Sequence, residues 1–191
     1  CLFAGSSAAL YWLAIPMHDF GGVPWLLAAF FVMLLGLLFG AHGVLFALLA
    51  RLLTRRLPCW PALLGLAVAW GMLEHLRGWI ATGFPWLSLS SAFAGWPALA
   101  QGASLLGMYA LSAYYALAAL LLALLWKAWR KEDLADLFPA ARAFPGRRIL
   151  LALPLLLLAA SALYGAIQLE RDWDGGGPGP ATRVTLVPGH H

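Results

Sequence analysis

The chain of 191 residues is 63% hydrophobic and 10% charged, whereas soluble domains are about 45–50% apolar and about 25% charged. This composition excludes an ordinary water-soluble globule. The net charge is +4, but the basic residues lie in two short clusters rather than along one face, so no nucleic-acid partner is expected. Two cysteines, Cys1 and Cys59, are too few for a disulfide framework.

Long uncharged stretches predict that the chain crosses a membrane several times. A crossing helix needs about 20 mostly apolar residues, because the hydrocarbon core is about 30 Å thick. The fold class predicted is all-α: a transmembrane helix bundle of about five spans, of which the first is incomplete. The predicted spans are residues 1–16, 22–50, 58–78, 97–126 and 149–168.

Several glycines and prolines refine these spans. Gly36 and Gly40 have the small-xxx-small spacing that lets helices approach closely in lipid. Pro154 lies inside the last span, where a neighbouring helix can absorb a kink. Residues 79–96 are predicted as a loop, because glycines and prolines interrupt the uncharged stretch there.

The composition changes after the last span. The transmembrane domain is predicted to comprise residues 1–168, and the Gly- and Pro-rich residues 169–182 form a linker. Residues 183–191 begin with an alternating, β-branched run that is typical of a strand. We expect this segment to be the start of an extracytoplasmic domain, cut short here.

The basic residues predict the orientation in the membrane. Residues 51–56 and 127–148, both predicted as loops, carry most of the lysines and arginines, so both are placed in the cytoplasm. The loops at 17–21 and 79–96 and the C-terminus then lie on the opposite side.

Glu74 and Arg77 are charged residues near the outer end of a predicted span. A charge at mid-membrane costs about 2.5–3.5 kcal/mol, so both residues need a reason to be there. They are three positions apart on one helix face and can form an ion pair. Two interpretations stay open: an interfacial anchor, or a role in handling lipid or substrate.

Four polar side chains, at His18, Asp19, Glu74 and His75, lie on the same predicted side of the membrane. They could converge as a metal or proton site, but no metal-ligand spacing supports this, and no metal ligand is assigned. The alternative function is a small polytopic transporter or channel in which these four residues form a polar path. A membrane scaffold that binds partners through its glycines is a third class.

The loop after Arg77 contains bulky rings that are expected at the membrane surface. Its Gly83-Phe84-Pro85-Trp86 turn is typical of an aromatic belt, or of a wedge at a lipid-entry site.

Residues 70–87 carry a family resemblance. They resemble the signature of bacterial apolipoprotein N-acyltransferases, in which a Glu-x-x-Arg-Gly helix end leads into a Thr-Gly-Phe-Pro-Trp loop. Residues 11–24 resemble the helix and turn that precede this signature in the family, and residues 101–109 resemble the helix that follows it. The resemblance implies a multi-pass protein of the bacterial inner membrane with a periplasmic C-terminus. In this family the membrane domain is fused to a nitrilase-like domain with a Glu-Lys-Cys triad.

The resemblance also implies the chemistry. The triad Cys takes an acyl chain from a membrane phospholipid as a thioester and passes it to a diacylglyceryl-modified lipoprotein. No cofactor is implied. We identify none of the triad in this chain, so no catalytic residue is assigned and the chain alone is expected to be inactive. The expected role is to anchor the catalytic domain and to admit acyl chains along residues at the outer rim: Glu74, Arg77, Gly83, Phe84, Pro85 and Trp86.

Overall fold

The computed structural model describes residues 2–80, 87–134, 136–139 and 146–170. These residues form helices and their connections, with no strand among them, which confirms the all-α fold class. The predicted linker and strand at 171–191 lie outside the described residues, so the division into domains stays a prediction.

Seven α-helices make up the described part of the chain. They are α1 (Leu2–Ala9), α2 (Ala14–Asp19), α3 (Trp25–Arg56), α4 (Cys59–Arg77), α5 (Pro97–Ala100), α6 (Ala103–Trp129) and α7 (Arg147–Leu169). Short 3₁₀ turns lie at Tyr11–Leu13 and Ser90–Phe93. Four of these helices, α3, α4, α6 and α7, are long and apolar enough to cross a membrane.

Of residues 1–16, predicted as the end of a span, the described residues 2–16 form the short helix α1, a 3₁₀ turn and the beginning of α2. Helix α1 packs along α3, and Leu10 is buried there against Val32 and Phe39. The helices touch at Gly36, where an added Cβ would collide with the Ser7 side chain. One glycine of the predicted small-xxx-small pair therefore lies at a helix crossing.

Helix α3 is longer than predicted. Residues 51–56, expected to form a loop, are its last turns. The helix ends at Arg56 because Leu57 precedes Pro58 and adopts the extended conformation that such a position favours, with φ −111° and ψ 150°. Arg55 and Arg56 lie in the last turn, where positive charge is favourable beside the helix dipole.

The predicted helix at 97–126 is divided in the structure. Helix α5 ends at Ala100, and α6 has a non-helical residue, Gly107, whose φ of 75° favours glycine. The carbonyl oxygen of Leu99, left free by the break, accepts a hydrogen bond of 2.8 Å from the Tyr115 hydroxyl. A side chain from α6 thus satisfies the backbone that the interrupted helix exposes.

The core lies where α4, α6 and α7 meet. Helix α6 packs against both α4 and α7, while α3 packs on the other side of α4. Pro154 lies inside α7 and is fully buried, as is Leu150 one turn earlier. The outward-facing side chains of α3 are mostly leucine, phenylalanine and methionine, and this apolar surface suits contact with lipid.

Candidate functional site

A cavity of about 220 Å³ lies between α3 and the end of α4. The two helices run antiparallel on either side of Leu57 and Pro58, so residues near 39–43 of α3 lie beside residues near 70–77 of α4. The wall combines three ionisable side chains with large apolar ones. Its residues are Ser6, Phe39, His42, Gly43, Trp70, Leu73, Glu74, Arg77 and Leu87.

Glu74 is 3% exposed and uses one carboxylate oxygen as a tether. Its Oε1 atom accepts one hydrogen bond from the Trp70 indole Nε1 and one from the Leu89 backbone nitrogen, each 2.8 Å long. Leu89 lies 15 positions farther along the chain, so the first bond stays within α4 whereas the second fixes the following loop to α4. The other oxygen, Oε2, is buried and has no hydrogen-bond partner.

Arg77 is 6% exposed and lies over an aromatic ring. Its Cζ atom is 4.4 Å from the centroid of the Phe39 ring, a cation–π contact between α4 and α3. Its Nε and Nη2 atoms are buried without hydrogen-bond partners. Because Oε2 of Glu74 is also unpaired, the predicted ion pair is not made through these atoms. Glu74 is held instead by Trp70 and Leu89.

The loop that follows the site is held by serines. The Ser88 and Ser90 hydroxyls are 3.2 Å apart, and the Ser90 backbone nitrogen donates to the Ser112 Oγ in α6 over 3.0 Å. Ser112 has no exposed surface. The loop is thus attached to α4 through Leu89 and to α6 through Ser90.

The cavity and both helices that form it lie in the part of the chain that matches a known family. Residues 1–121 match the model described as the apolipoprotein N-acyltransferase N-terminal domain. The chain belongs to the apolipoprotein N-acyltransferase family. Its fold, with four helices able to cross a membrane, suits a protein of the bacterial inner membrane.

Curated relatives extend this match. An apolipoprotein N-acyltransferase of Bordetella bronchiseptica is 34% identical over 178 residues, covering 86% of this chain and 30% of the relative. One from Chromobacterium violaceum is 35% identical over 136 residues, covering 70% and 26%. One from Vibrio parahaemolyticus is 28% identical over 181 residues, covering 94% and 31%. The chain thus spans about a third of the length of these relatives, and no solved structure matches it.

The structure locates two of the six residues that the sequence predicts along a lipid path. Glu74 and Arg77 lie together in the cavity wall. The other four, Gly83, Phe84, Pro85 and Trp86, lie outside the described residues, so their part in the path stays a prediction.

The two histidines of the alternative function have local partners in the structure. His18 donates from Nδ1 to the Val23 carbonyl oxygen over 2.9 Å and stacks on Trp25. His75 is exposed and packs edge-on against Tyr109, with ring centroids 5.0 Å apart. Within the described ranges no group of three or more His, Cys, Asp or Glu side chains could hold a metal ion. The structure therefore gives no support to a metal site formed by these histidines with Asp19 and Glu74, the possibility that the sequence left open.

Sequence reasoning missed His42, Phe39 and Trp70 as residues of the site. His42 donates from Nδ1 to the Leu38 carbonyl oxygen over 2.8 Å and lies in the cavity wall. It is the one ionisable residue in the sequence between Asp19 and Arg51. That isolation within a span is the signal that could have found it.

Proposed function

We propose that this chain is the membrane domain of a phospholipid:apolipoprotein N-acyltransferase, the enzyme of the last acylation step in bacterial lipoprotein maturation. The acyl donor is a membrane phospholipid, and the acceptor is a diacylglyceryl-modified lipoprotein. The domain anchors a nitrilase-like catalytic domain and admits acyl chains to it. A Cys of that catalytic domain carries the acyl chain as a thioester.

The cavity between α3 and α4 is the main support for this proposal. It lies within the residues that match the family's N-terminal domain, and it places Glu74 and Arg77 among Phe39, Trp70 and other apolar side chains. A wall with both charged and apolar side chains suits a molecule with a polar head and hydrocarbon chains. Glu74, Arg77 and the Gly83-Phe84-Pro85-Trp86 turn line the entry path.

A domain exchange tests the assignment. Residues 1–168 of this chain replace the matching residues of the Bordetella bronchiseptica enzyme, in cells depleted of their own N-acyltransferase. Mass spectrometry of a lipoprotein N-terminal peptide then reports the third acyl chain. We expect the chimera to acylate and the 191-residue chain alone to transfer nothing. Acyl transfer by the chain alone, or a stable chimera without activity, would contradict the proposal.

Two substitutions in the chimera test the path. Glu74→Ala and Arg77→Ala are expected to lower turnover, whereas Glu132→Ala, an exposed carboxylate far along the chain, leaves it unchanged. Normal turnover and stability in both cavity variants would remove Glu74 and Arg77 from the path.

The proposed orientation has the α3–α4 connection and residues 127–148 in the cytoplasm and the C-terminus in the periplasm. It is supported by the positive charge of Arg51, Arg55 and Arg56 at the end of α3. A membrane-impermeant maleimide should label Glu170→Cys in intact cells and Glu132→Cys only after lysis, with Cys1 replaced by Ser. The reverse labelling pattern would show that the domain has the opposite orientation in the membrane.

A further inference from the structure

One edge of the Arg77 guanidinium has no hydrogen-bond partner. The N–H groups of Nε and Nη2 point to the same side of this planar group and form a fork. Both nitrogens are buried and unpaired, on a side chain that is 6% exposed. Buried polar groups nearly always have a partner, so two open donors on one edge indicate an oxygen-rich ligand.

The surroundings hold the guanidinium in place for such a ligand. The Phe39 ring lies 4.4 Å from Cζ, so one face of the guanidinium is covered and its edge stays available. Glu74 does not occupy the fork, because its Oε1 atom is bound to Trp70 and Leu89 and its Oε2 atom has no partner. The fork matches two oxygens of one phosphate or carboxylate.

The charges beside the fork limit the ligand further. Arg77 offers one positive charge, and Glu74 places a carboxylate in the same wall. A phosphomonoester with two negative charges would be repelled by that carboxylate, whereas a phosphodiester carries only one. The apolar neighbours Trp70, Leu73 and Leu87 favour a diester with hydrocarbon attached.

We propose that Arg77 binds a phosphodiester through Nε–H and Nη2–H at this cavity. The diester is that of a membrane phospholipid or of a soluble glycerophosphodiester, which share this chemistry. The proposal rests on the proposed function in taking the lipid as the natural source, but binding itself requires no acyl transfer.

Binding to the purified 191-residue chain tests the proposal. Isothermal titration calorimetry in a sugar-based detergent compares dihexanoylphosphatidylcholine, dihexanoylglycerol and glycerophosphocholine. The first is a lipid with the diester, the second lacks phosphate, and the third lacks acyl chains. We expect only the first to bind tightly. Arg77→Lys keeps the charge but removes the fork, and should weaken binding about tenfold or more, the effect of one hydrogen bond between charged groups.

Two further variants keep the test decisive. Arg51→Lys alters an exposed arginine outside the cavity and should bind as the unaltered chain does. Gly43→Val adds a side chain to the α3 wall of the cavity and leaves the Arg77 residue in place, so it should also weaken binding. It serves as the second test if Arg77→Lys proves unstable. Unchanged affinity in Gly43→Val and in a folded Arg77→Lys would overturn the proposal.

The remaining outcomes separate the ligand source from the function. Glycerophosphocholine binding as tightly as the lipid would overturn the lipid source. Dihexanoylglycerol binding as tightly as the lipid would overturn the role of the phosphate. An inactive domain-exchange chimera, with Arg77-dependent lipid binding intact, would overturn the proposed function and leave this site standing.

Discussion

Replacing Glu74 by alanine should loosen the loop that follows α4. The substitution removes the shared acceptor of two N–H groups, those of Trp70 and Leu89, each 2.8 Å from Oε1. A buried donor without a partner costs about 1–3 kcal/mol, and because both donor residues are half-buried the lower end applies to each, about 2 kcal/mol together. For a chain of this size, each kcal/mol lowers the Tm by about 2–4 °C. The Glu74→Ala chain should therefore unfold at least about 4 °C lower.

Thermal unfolding in detergent, followed by circular dichroism, measures this change. Glu74→Gln retains the acceptor oxygen and should restore most of the lost stability, which separates hydrogen bonding from charge. Glu132→Ala is the matched control, because that carboxylate is exposed and, among the described residues, pairs with Lys127 and Arg130 over 2.9 and 3.0 Å. Its Tm should change little.

Hydrogen exchange at the Leu89 amide reports the tether directly. We expect faster exchange in Glu74→Ala than in the unaltered chain, because the amide loses its acceptor. An unchanged Tm and unchanged exchange at Leu89 would refute the reasoning. A Glu74→Gln chain as unstable as Glu74→Ala would show that charge, and not the hydrogen bonds, is what stabilises the site.

Two other predictions concern helix packing and a surface carboxylate. Gly71→Ala places a Cβ 2.6 Å from the Tyr109 carbonyl oxygen and should lower the stability by about 1–3 kcal/mol. Gly95→Ala, with open space around the added Cβ, should leave the stability unchanged. Equal Tm values for the two variants would contradict the predicted clash. The hydrogen bond from Lys127 lowers the pKa of the Glu132 carboxyl, so its small stabilising contribution is present above the ordinary pKa and lost as pH falls through the lowered one. NMR titration should show that pKa rising in Lys127→Met, and an unchanged midpoint would exclude Lys127 as the cause.

Hydropathy predicted the crossing helices because the cost of placing charge in lipid is severe. The same cost marked Glu74 and Arg77 as residues that need an explanation. Their partners could not be predicted in this way. Spacing alone allowed an ion pair within α4, but Trp70 and the Leu89 amide take up Oε1, and the latter lies in a different segment.

Helix boundaries were harder to predict where the residues allow a helix either to continue or to end. Residues 51–56 contain no helix breaker, so nothing in them ends α3 before Pro58. Their basic charges favour a cytoplasmic location, and a helix end satisfies this as well as a loop does. Gly107 permits a break without requiring one. His42 stands out in the sequence as the one ionisable residue of its span, but only the antiparallel register of α3 and α4 places it in a wall with Glu74 and Arg77.

Two consecutive amides of the loop after the cavity are bound to different membrane-crossing helices. Leu89 is bound to Glu74 of α4 and Ser90 to Ser112 of α6, over 2.8 and 3.0 Å. A slide of one helix past the other by a single residue, about 1.5 Å, would lengthen at least one of these bonds unless the loop changes shape. The loop therefore couples the two helices mechanically, and it resists movement of either helix along its own axis.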